Sequence, residues 1–549
     1  MKKMKTLGIA LIIIIGTLLR LVMIDKQEGL WNDEYVSYMI AAKPMFDGFL
    51  QGIKSQCHMP FYYIYLKVTM LLCGQSDLVL RLSSVLAGVC SIIVMYFTGS
   101  ERDKRTGIYC AVFTAISSFL IYYSQEVRLY SILFLFAAIT LLFTLRLVKK
   151  IDLKNLIFFI ISNFLILFTH TIGFVFVFFN LIYVSFKLFN SHKNIIIKMW
   201  AATAILMLFI TPQLIGILFR QTFSQWWGSF SFSAIGFLIT DYFSPVITNF
   251  TGAPPNFFYN FKSGFIIFAL TPALIAMAFF IRAMFEKQNR ELFYFISAFI
   301  FVLIIAAQSG KLVFVTKYSM EIYPVLIYLV CAGVSDTSNR ILRNTGIIIF
   351  CILNLFFLIF SPLAANRLPR KEGHKTAADL IKNANLKQGD IIIIQYYDKD
   401  RFEKYFDFSP YKVISMNKGN FPEYLKADLT YQEAYQNGKT LLHDIFLMHN
   451  NEYLKTKLAN EISLKSEQSV LVLFLKSVSF YNEQTIQKIV ENNTYYNKIP
   501  LLFLVFSYLK NETLKELAKD YAITGIKEKG EWAIIRFTNL NKQSKTDKF

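Results

Sequence analysis

The chain has 549 residues, of which 55% are hydrophobic and only 17% are charged. A soluble protein carries about a quarter charged residues, and disordered, collagenous or nucleic-acid-binding segments tolerate far less apolar content. The 57 Lys and Arg exceed the 37 Asp and Glu and give a formal charge of +20. In a membrane protein this excess marks cytoplasmic loops and contacts with anionic lipids. The composition predicts an integral membrane protein with lipid partners and no nucleic-acid partner.

The cysteines give no sign of a disulfide framework or a metal site. They form no Cys-x-x-Cys pair and have no metal-ligand spacing. Five of the six lie in apolar runs, where cysteine is a small packing residue. The six are Cys57, Cys73, Cys90, Cys110, Cys331 and Cys351.

The apolar runs predict a helical membrane bundle. The first, from about Leu7 to Ile24, follows three lysines and precedes no small-residue cleavage site, so we expect a retained helix rather than a signal peptide. Each run is about long enough to cross a hydrocarbon core of about 30 Å. We predict an α-helical polytopic bundle of about eleven spans with juxtamembrane helices. The ten further runs begin near Leu82, Ile108, Leu129, Leu156, Ile172, Met199, Phe265, Leu292, Leu312 and Gly346.

The segment from Phe61 to Leu72 decides the orientation of the bundle. Twelve helical residues rise about 18 Å, which is short for a span, and Lys67 lies midway. If this segment does not cross, the basic loops share the side of the N-terminus, as the positive-inside rule requires. We therefore predict an interfacial or re-entrant helix on the outer face and a cytoplasmic N-terminus. The basic loops lie at 102–105, 149–154, 187–198, 282–290 and 340–343.

The sequence changes character after Pro362. Polar segments alternate with β-like runs such as Asp390–Ile394 and Val470–Phe474, and amphipathic stretches such as Lys375–Ala384 lie between them. After an odd number of spans this part lies outside. We predict a transmembrane domain over residues 1–361 and an extracytoplasmic soluble α/β domain over residues 362–549.

Ionisable side chains gather in the predicted outer loops, close to the ends of the spans. Because charged groups at membrane depth are costly, such a group of residues predicts a functional site. Carboxylates, histidines and cations come from parts of the chain that are far apart in sequence. They are Asp33, Glu34, His58, Arg81, Glu126, Arg128, His170 and Lys317.

These motifs resemble the polytopic glycosyltransferases of the GT-C class. The likeness is greatest to the family that includes protein O-mannosyltransferases, aminoarabinose transferases and rhizobial galacturonosyltransferases, and it covers roughly residues 1–360. The residues that carry it are Trp31-Asn-Asp33-Glu34, His58-Met-Pro60-Phe-Tyr62-Tyr63, Arg81 to Gly88, Ser124-Gln-Glu126-Val-Arg128-Leu-Tyr130, Thr169-His170, and Lys317-Tyr318 with Pro324.

The resemblance implies transfer of a sugar from a polyprenyl phosphate to an acceptor hydroxyl on the outer face. By this resemblance, Asp33 is the base. Glu126 is the second predicted catalytic residue, and it could position the acceptor, hold Arg128 or help a metal. The departing phosphate gathers negative charge that fixed cations stabilise, for which Arg128 and Lys317 are best placed and Arg81 is third. The other residues predicted to bind substrate are Glu34, His58, Tyr62, Tyr130, His170 and Tyr318.

Structural roles compete with each of these assignments. Asp33 and Glu34 could cap a helix, and His58 could orient its loop. Arg81 and Arg128 could extend their charges to the interface, and His170 could hydrogen-bond between helices. A divalent metal at Glu34, Glu126 or His58 is an alternative, since some relatives bind zinc near this place. No ligand spacing supports it, so no cofactor is certain from the sequence, and the divalent metal stays the less favoured alternative.

The sequence therefore predicts a multi-pass inverting glycosyltransferase of the plasma (inner) membrane. Its donor is a polyprenyl-phosphate sugar, and its acceptor is a glycan, a lipid or a protein. The alternative is a transporter or flippase of lipid-linked sugars, although no repeats or paired broken helices are evident. A membrane-anchored scaffold ranks last, because it leaves the outer-loop residues unexplained.

Overall fold

A computed structural model gives the architecture as two compact units. The first unit comprises the described residues within 1–26, 36–223 and 230–369, and the second those within 27–35 and 370–549. The structure describes residues 2–22, 24, 29–48, 59–208, 211, 215, 233–244, 263–309, 316–360, 374–395, 399–416, 469–475, 517, 521–529 and 532–539.

Within its described residues, the regular secondary structure of the first unit consists of helices. Helix α2 begins within the second unit, because the boundary between the units falls between Tyr35 and Val36. A 3-10 helix over Thr316–Ile322 precedes α14. The helices are α1 (Lys2–Leu21), α2 (Asn32–Ala42), α3 (Phe61–Cys73), α4 (Asp77–Ser100), α5 (Lys104–Ile116), α6 (Ser118–Ser124), α7 (Tyr130–Lys149), α8 (Leu153–Leu167), α9 (Gly173–Leu188), α10 (Lys193–Leu208), α11 (Ser233–Phe243), α12 (Ser263–Ala283), α13 (Lys287–Gln308), α14 (Tyr323–Asp336) and α15 (Arg340–Phe360).

Among the described residues, four helical segments are long and apolar enough to cross a membrane. The bent pair α5 and α6 makes a fifth if it is counted as one span. Shorter apolar helices accompany them, so the unit is a multi-pass helical membrane fold. The predicted total of about eleven spans stays a prediction. The four segments are Asp77–Ser100, Tyr130–Lys149, Lys287–Gln308 and Thr316–Asp336.

Polar caps define where several helices begin. The Ser76 hydroxyl accepts a hydrogen bond from the backbone amide of Val79 at the start of α4. The Asp103 carboxylate accepts hydrogen bonds from the first backbone amides of α5. Asp152 does the same for α8. Each cap satisfies backbone donors that have no partner within the helix, so these local sequences set the helix boundaries.

The bend between α5 and α6 departs from the straight span that the apolar run predicts. The two helices meet at 58° around Ser117, whose hydroxyl accepts the amide of Leu120 and starts α6. Because α6 ends at Ser124, this bend determines where the following loop begins. That loop carries two of the predicted site residues, Glu126 and Arg128, and the third, Tyr130, is the first residue of α7.

Helix α3 is the short helix predicted over Phe61 to Leu72. Its Lys67 ammonium donates to the carbonyls of Ala41, 3.1 Å away, and Lys43, 2.6 Å away, at the end of α2. A cation is well suited to these positions, because the carbonyl end of a helix carries partial negative charge. The lysine in the middle of this apolar helix thus has a structural role. The interfacial placement of α3 stays a prediction.

The second unit contains a five-stranded mixed sheet in the order β2-β1-β3-β5-β4. The β1–β2 and β1–β3 pairs are parallel, and the β3–β5 and β4–β5 pairs are antiparallel. The elements are α16 (His374–Lys382), β1 (Ile391–Gln395), β2 (Lys412–Met416), β3 (Ser469–Leu475), β4 (Tyr521–Lys529) and β5 (Trp532–Asn539).

The core of this unit explains the two apolar runs noted in its sequence. Residues 391–394 of β1 and 470–473 of β3 are fully or almost fully buried, as continuous apolar strands at the centre of a sheet must be. Ala377, Leu380 and Ile381 of α16 belong to the same apolar cluster. Helix α16 therefore uses its apolar face to cover the sheet.

Candidate active site

The loop from Ser124 to Arg128 is held in place by a buried arginine from α1. Arg20 is completely inaccessible to solvent and donates to the carbonyls of Thr114 and Ala115 at the end of α5, both 2.9 Å away. Its Nε also donates to the Ser124 hydroxyl at 3.2 Å. Gln125 makes the reciprocal contact, since its amide donates to the carbonyls at the end of α1. The guanidinium thus stabilises the bend and the loop together.

Two cations, Arg128 at the end of this loop and Lys317, lie near the aromatic ring of Tyr130. The Arg128 guanidinium carbon lies 5.9 Å from the centre of the Tyr130 ring, and the Lys317 ammonium lies 5.6 Å from it. The lysine is also 5.4 Å from the ring of Tyr318. Arg128 donates to the Ser37 hydroxyl at 3.3 Å. We call Arg128, Tyr130, Lys317 and Tyr318 the cation cluster.

The cation cluster brings two positive charges close to one aromatic ring. Arg128 is only 5% exposed, so water screens its charge poorly. The electron-rich face of Tyr130 offsets part of the repulsion between the two cations, typically by about 0.5–2 kcal/mol per contact. The structure thus brings together four of the predicted site residues.

His170 belongs to the same region through Tyr318. Its ring lies 6.4 Å from the Tyr318 ring, and its Nδ1 lies 2.6 Å from a carboxylate oxygen of Glu321. Both side chains are buried. Such a short contact with a carboxylate holds an imidazole in one orientation. His170 is therefore held as one member of a buried pair.

Three further predicted residues of the first unit are also buried. Arg81 is completely inaccessible and donates to the backbone carbonyl of Ile24 at 3.5 Å. Tyr62 packs edge-on against Tyr63, with ring centres 5.7 Å apart. The backbone carbonyl of Glu126 accepts the Ser84 hydroxyl at 2.6 Å. Their substrate-binding or catalytic roles remain predictions.

Asp33 and Glu34 occupy the first turn of α2 and belong to the second unit. The Glu34 carboxylate is fully buried and accepts the Trp31 amide at 3.2 Å, which is the reciprocal half of a capping box. Asp33 is half-buried at the positive end of the helix. Glu34 thus makes the capping hydrogen bond that the alternative interpretation expected, while the substrate-binding role of Glu34 and the base role of Asp33 stay predictions.

No metal centre is evident in the part of the chain that the structure describes. Within that part, no three His, Cys, Asp or Glu side chains come together in a group that could hold an ion. Predicted residue His58 lies outside the described residues, so this observation does not cover it.

Two residues of this region, Arg20 and Glu321, were not predicted from the sequence. Both are ionisable groups within apolar segments, which is the signal that could have identified them. Arg20 resembles an ordinary charge at the end of a span. Glu321 stands four residues after Lys317, within a stretch that reads as the start of a helix.

Part of the chain matches a known family of membrane glycosyltransferases. The family model for dolichyl-phosphate-mannose-protein mannosyltransferases matches residues 57–216. No curated protein matches the chain. These matched residues include the loop from Ser124 to Arg128, Tyr130 and His170.

The solved structures similar to this chain include ArnT from Cupriavidus metallidurans in two states. The apo structure matches with a TM-score of 0.52 and 10% identity, covering 97% of this chain and 98% of that one. The structure bound to undecaprenyl phosphate matches with a TM-score of 0.50 and 12% identity, covering 96% and 97%. The resemblance to GT-C glycosyltransferases is thereby confirmed at the level of the fold. The family match and the fold together indicate a multi-pass membrane glycosyltransferase.

Proposed function

We propose that this protein transfers a sugar from a polyprenyl-phosphate donor to an acceptor hydroxyl on the outer face of the membrane, with inversion at the anomeric carbon. The observation that carries the proposal is the cation cluster, in which Arg128 and Lys317 lie within 6 Å of the Tyr130 ring. The similar ArnT structure with bound undecaprenyl phosphate supports a lipid-linked donor. The acceptor class, whether glycan, lipid or protein, remains open.

The proposed reaction is a single displacement. The acceptor oxygen forms a bond to the anomeric carbon while the bond from that carbon to the phosphate oxygen breaks, and the hydroxyl proton passes to Asp33. The phosphate leaves with the electron pair of the broken bond, so fixed cations lower the barrier. Arg128 and Lys317 are assigned to that charge, with Arg81 as a third cation. Glu126 is assigned to positioning the acceptor or holding Arg128.

We also propose an orientation. The N-terminus is cytoplasmic, residues 1–361 form the transmembrane domain of an inner-membrane protein, and residues 362–549 form an exported domain. The positive-inside distribution of the basic loops supports this orientation. A reporter fused after Asp390 should be exported. A cytoplasmic reporter would contradict the assignment of α3 as a helix that does not cross.

The experiment that tests the function uses the full chain in proteoliposomes, with radiolabelled polyprenyl-phosphate sugars as donors and glycans, lipids and proteins extracted from the native membrane as acceptors. Wild type should consume the donor and form a covalent glycosylated product. Asp33→Asn should reduce turnover by at least about 100-fold, because a positioned base contributes about 10²–10⁴-fold. The exposed Asp407 lies in the second unit, and Asp407→Asn serves as the control that keeps full activity.

The other outcomes are equally informative. Full turnover by Asp33→Asn would remove the base assignment. Movement of the intact donor across the bilayer without a covalent product would instead favour a transporter of lipid-linked sugars.

A further inference from the structure

Residues 29–35, which include the proposed base Asp33, form a compact unit with residues of the C-terminal part of the chain. The contacts within this unit explain the grouping. They surround Asp33 on both sides in sequence, at Leu30 and at Tyr35.

Both backbone polar groups of Leu30 form hydrogen bonds with residues of the C-terminal part of the chain. Its amide donates to the Tyr405 hydroxyl at 2.9 Å. Its carbonyl accepts the His374 ring nitrogen Nδ1 at 2.9 Å and lies 3.4 Å from the His374 backbone amide. Leu30 itself is completely inaccessible to solvent. Buried backbone groups need such partners, so these bonds determine the path of this short loop.

Gly29 makes a close approach possible immediately before Leu30. Its φ of +95° lies in the region that favours glycine. A Cβ at this position would stand 2.5 Å from the Cβ of Lys375 and 2.7 Å from its amide nitrogen. The loop can thus reach the start of α16 only because residue 29 has no side chain.

Tyr35 is held on the other side of Asp33. Its hydroxyl donates to the backbone carbonyl of Asp400, and the Arg401 guanidinium lies 5.8 Å from the centre of its ring. The His374 ring is 5.3 Å away, and Tyr35 is 1% exposed. One histidine therefore contacts both Leu30 and Tyr35.

We propose that His374, Tyr405 and the segment Asp400–Arg401 act as positioning residues for Asp33, so that the C-terminal unit controls the placement of the catalytic base. We call these residues the clasp. The proposal rests on the proposed function, in which Asp33 accepts the proton of the acceptor hydroxyl. A base must come within about 3 Å of that proton, and a displacement of about 1 Å can cost about 100-fold in rate.

The test uses Tyr405→Phe in the full chain, because it removes one hydroxyl and leaves the ring. Tyr411→Phe is the matched control. Tyr411 lies in the same unit and packs against Phe406, with ring centres 5.7 Å apart. Hydrogen exchange of the peptide covering residues 29–35 reports the clasp, and kcat and donor KM report the consequence for the reaction.

Tyr405→Phe should accelerate exchange of the Leu30 amide at least about tenfold and lower kcat about 10–100-fold. The donor KM should stay unchanged, because the proposed phosphate ligands Arg128 and Lys317 do not belong to the clasp. Protection of residues 391–394 should also stay unchanged, which shows that the sheet remains folded. Tyr411→Phe should behave like wild type in all of these measurements.

Unchanged exchange in Tyr405→Phe would overturn the clasp, and so would an equal loss of kcat in Tyr411→Phe. Faster exchange with unchanged kcat would overturn the positioning role. An inactive wild type would overturn the proposed function instead, and a fully active Asp33→Asn would overturn the assignment of Asp33 as the base. Exchange of the Leu30 amide would then decide the clasp independently of activity.

Discussion

His170 and Glu321 form a buried pair in which the imidazole Nδ1 and a carboxylate oxygen are 2.6 Å apart. They are separated by 151 positions in the sequence and join the end of α8 to the 3-10 helix before α14. The same 3-10 helix carries Lys317 and Tyr318. The contact between His170 and Glu321 therefore helps to fix the 3-10 helix that contributes Lys317 and Tyr318 to the cation cluster.

Removing this carboxylate should weaken the cation cluster. Glu321→Ala leaves a buried imidazole without its partner, which costs about 3–5 kcal/mol when the pair is charged and about 1–3 kcal/mol when it is neutral. We expect a lower thermal unfolding midpoint and a donor KM raised about tenfold. Glu286→Ala is the control, because Glu286 is exposed. A variant with the wild-type midpoint would show that the pair carries no stability.

Lys317 can be tested by binding alone, with no turnover. Lys317→Gln removes one of the two cations near Tyr130 and should weaken binding of undecaprenyl phosphate about 10-fold or more, as expected for loss of a charged hydrogen bond of about 1.5–3 kcal/mol. Lys317→Arg should retain most of the affinity. Lys149→Gln is a control, since Lys149 is half exposed and pairs with Glu101. Equal affinity for wild type and Lys317→Gln would contradict the phosphate assignment.

Arg20 should be among the most sensitive residues of the first unit. Arg20→Met leaves the carbonyls of Thr114 and Ala115 and the Ser124 hydroxyl without this donor, at about 1–3 kcal/mol for each buried group. We expect a large fall in the thermal unfolding midpoint, with Arg20→Lys intermediate.

Arg146→Met is the control variant for Arg20→Met, and the thermal unfolding midpoints of the two variants are compared. Arg146 pairs with Glu101 at 2.7 Å but is 35% exposed, so its loss should cost only about 0–1 kcal/mol. Similar midpoints for the two methionine variants would show that the Arg20 hydrogen bonds contribute little.

The clasp should make the second unit sensitive to acid. Burial lowers the pKa of His374 from 6.5 to about 3, so the folded unit holds this ring neutral. Below about pH 6.5 the His374 ring binds a proton in the unfolded chain, whereas in the folded unit it stays neutral until the pH approaches 3. The contribution of His374 to stability is therefore complete above pH 6.5. It falls by up to about 1.4 kcal/mol per pH unit as the pH drops towards 3.

This pH dependence can be measured as a difference between two proteins. Urea unfolding of wild type and His374→Gln is compared between pH 5 and pH 7, so that the other titrating groups cancel. The difference in unfolding free energy should shrink with falling pH. A constant difference would contradict a neutral buried His374.

The sequence anticipated the parts of the site that have a direct chemical signature. Arg128, Tyr130, Lys317 and Tyr318 were singled out as polar and aromatic residues at outer span ends, and the structure places them around one ring. Their proximity depends on tertiary packing, but their shared side of the membrane follows from charge and span count. The assignment of that side is still a prediction.

The partners of Arg20 could not be recognised in the same way, because they are mainly backbone carbonyls. Carbonyls are present at every residue and leave no trace in the sequence. The bend at Ser117 was equally hidden, since apolar residues continue on both sides of a single serine cap. The clasp escaped prediction because Leu30 and Tyr405 are 375 positions apart and bond through a backbone amide.

Arg20 also has a consequence for how the protein is made. Helix α1 is synthesised before α5 and α6, so Arg20 is made before the carbonyls of Thr114 and Ala115 that accept its hydrogen bonds. A cation at this position is tolerated only at a cost until those partners arrive. We therefore expect α1 to reach its stable position only when the bent pair is present beside it. The earliest stable intermediate of biogenesis should contain all three helices.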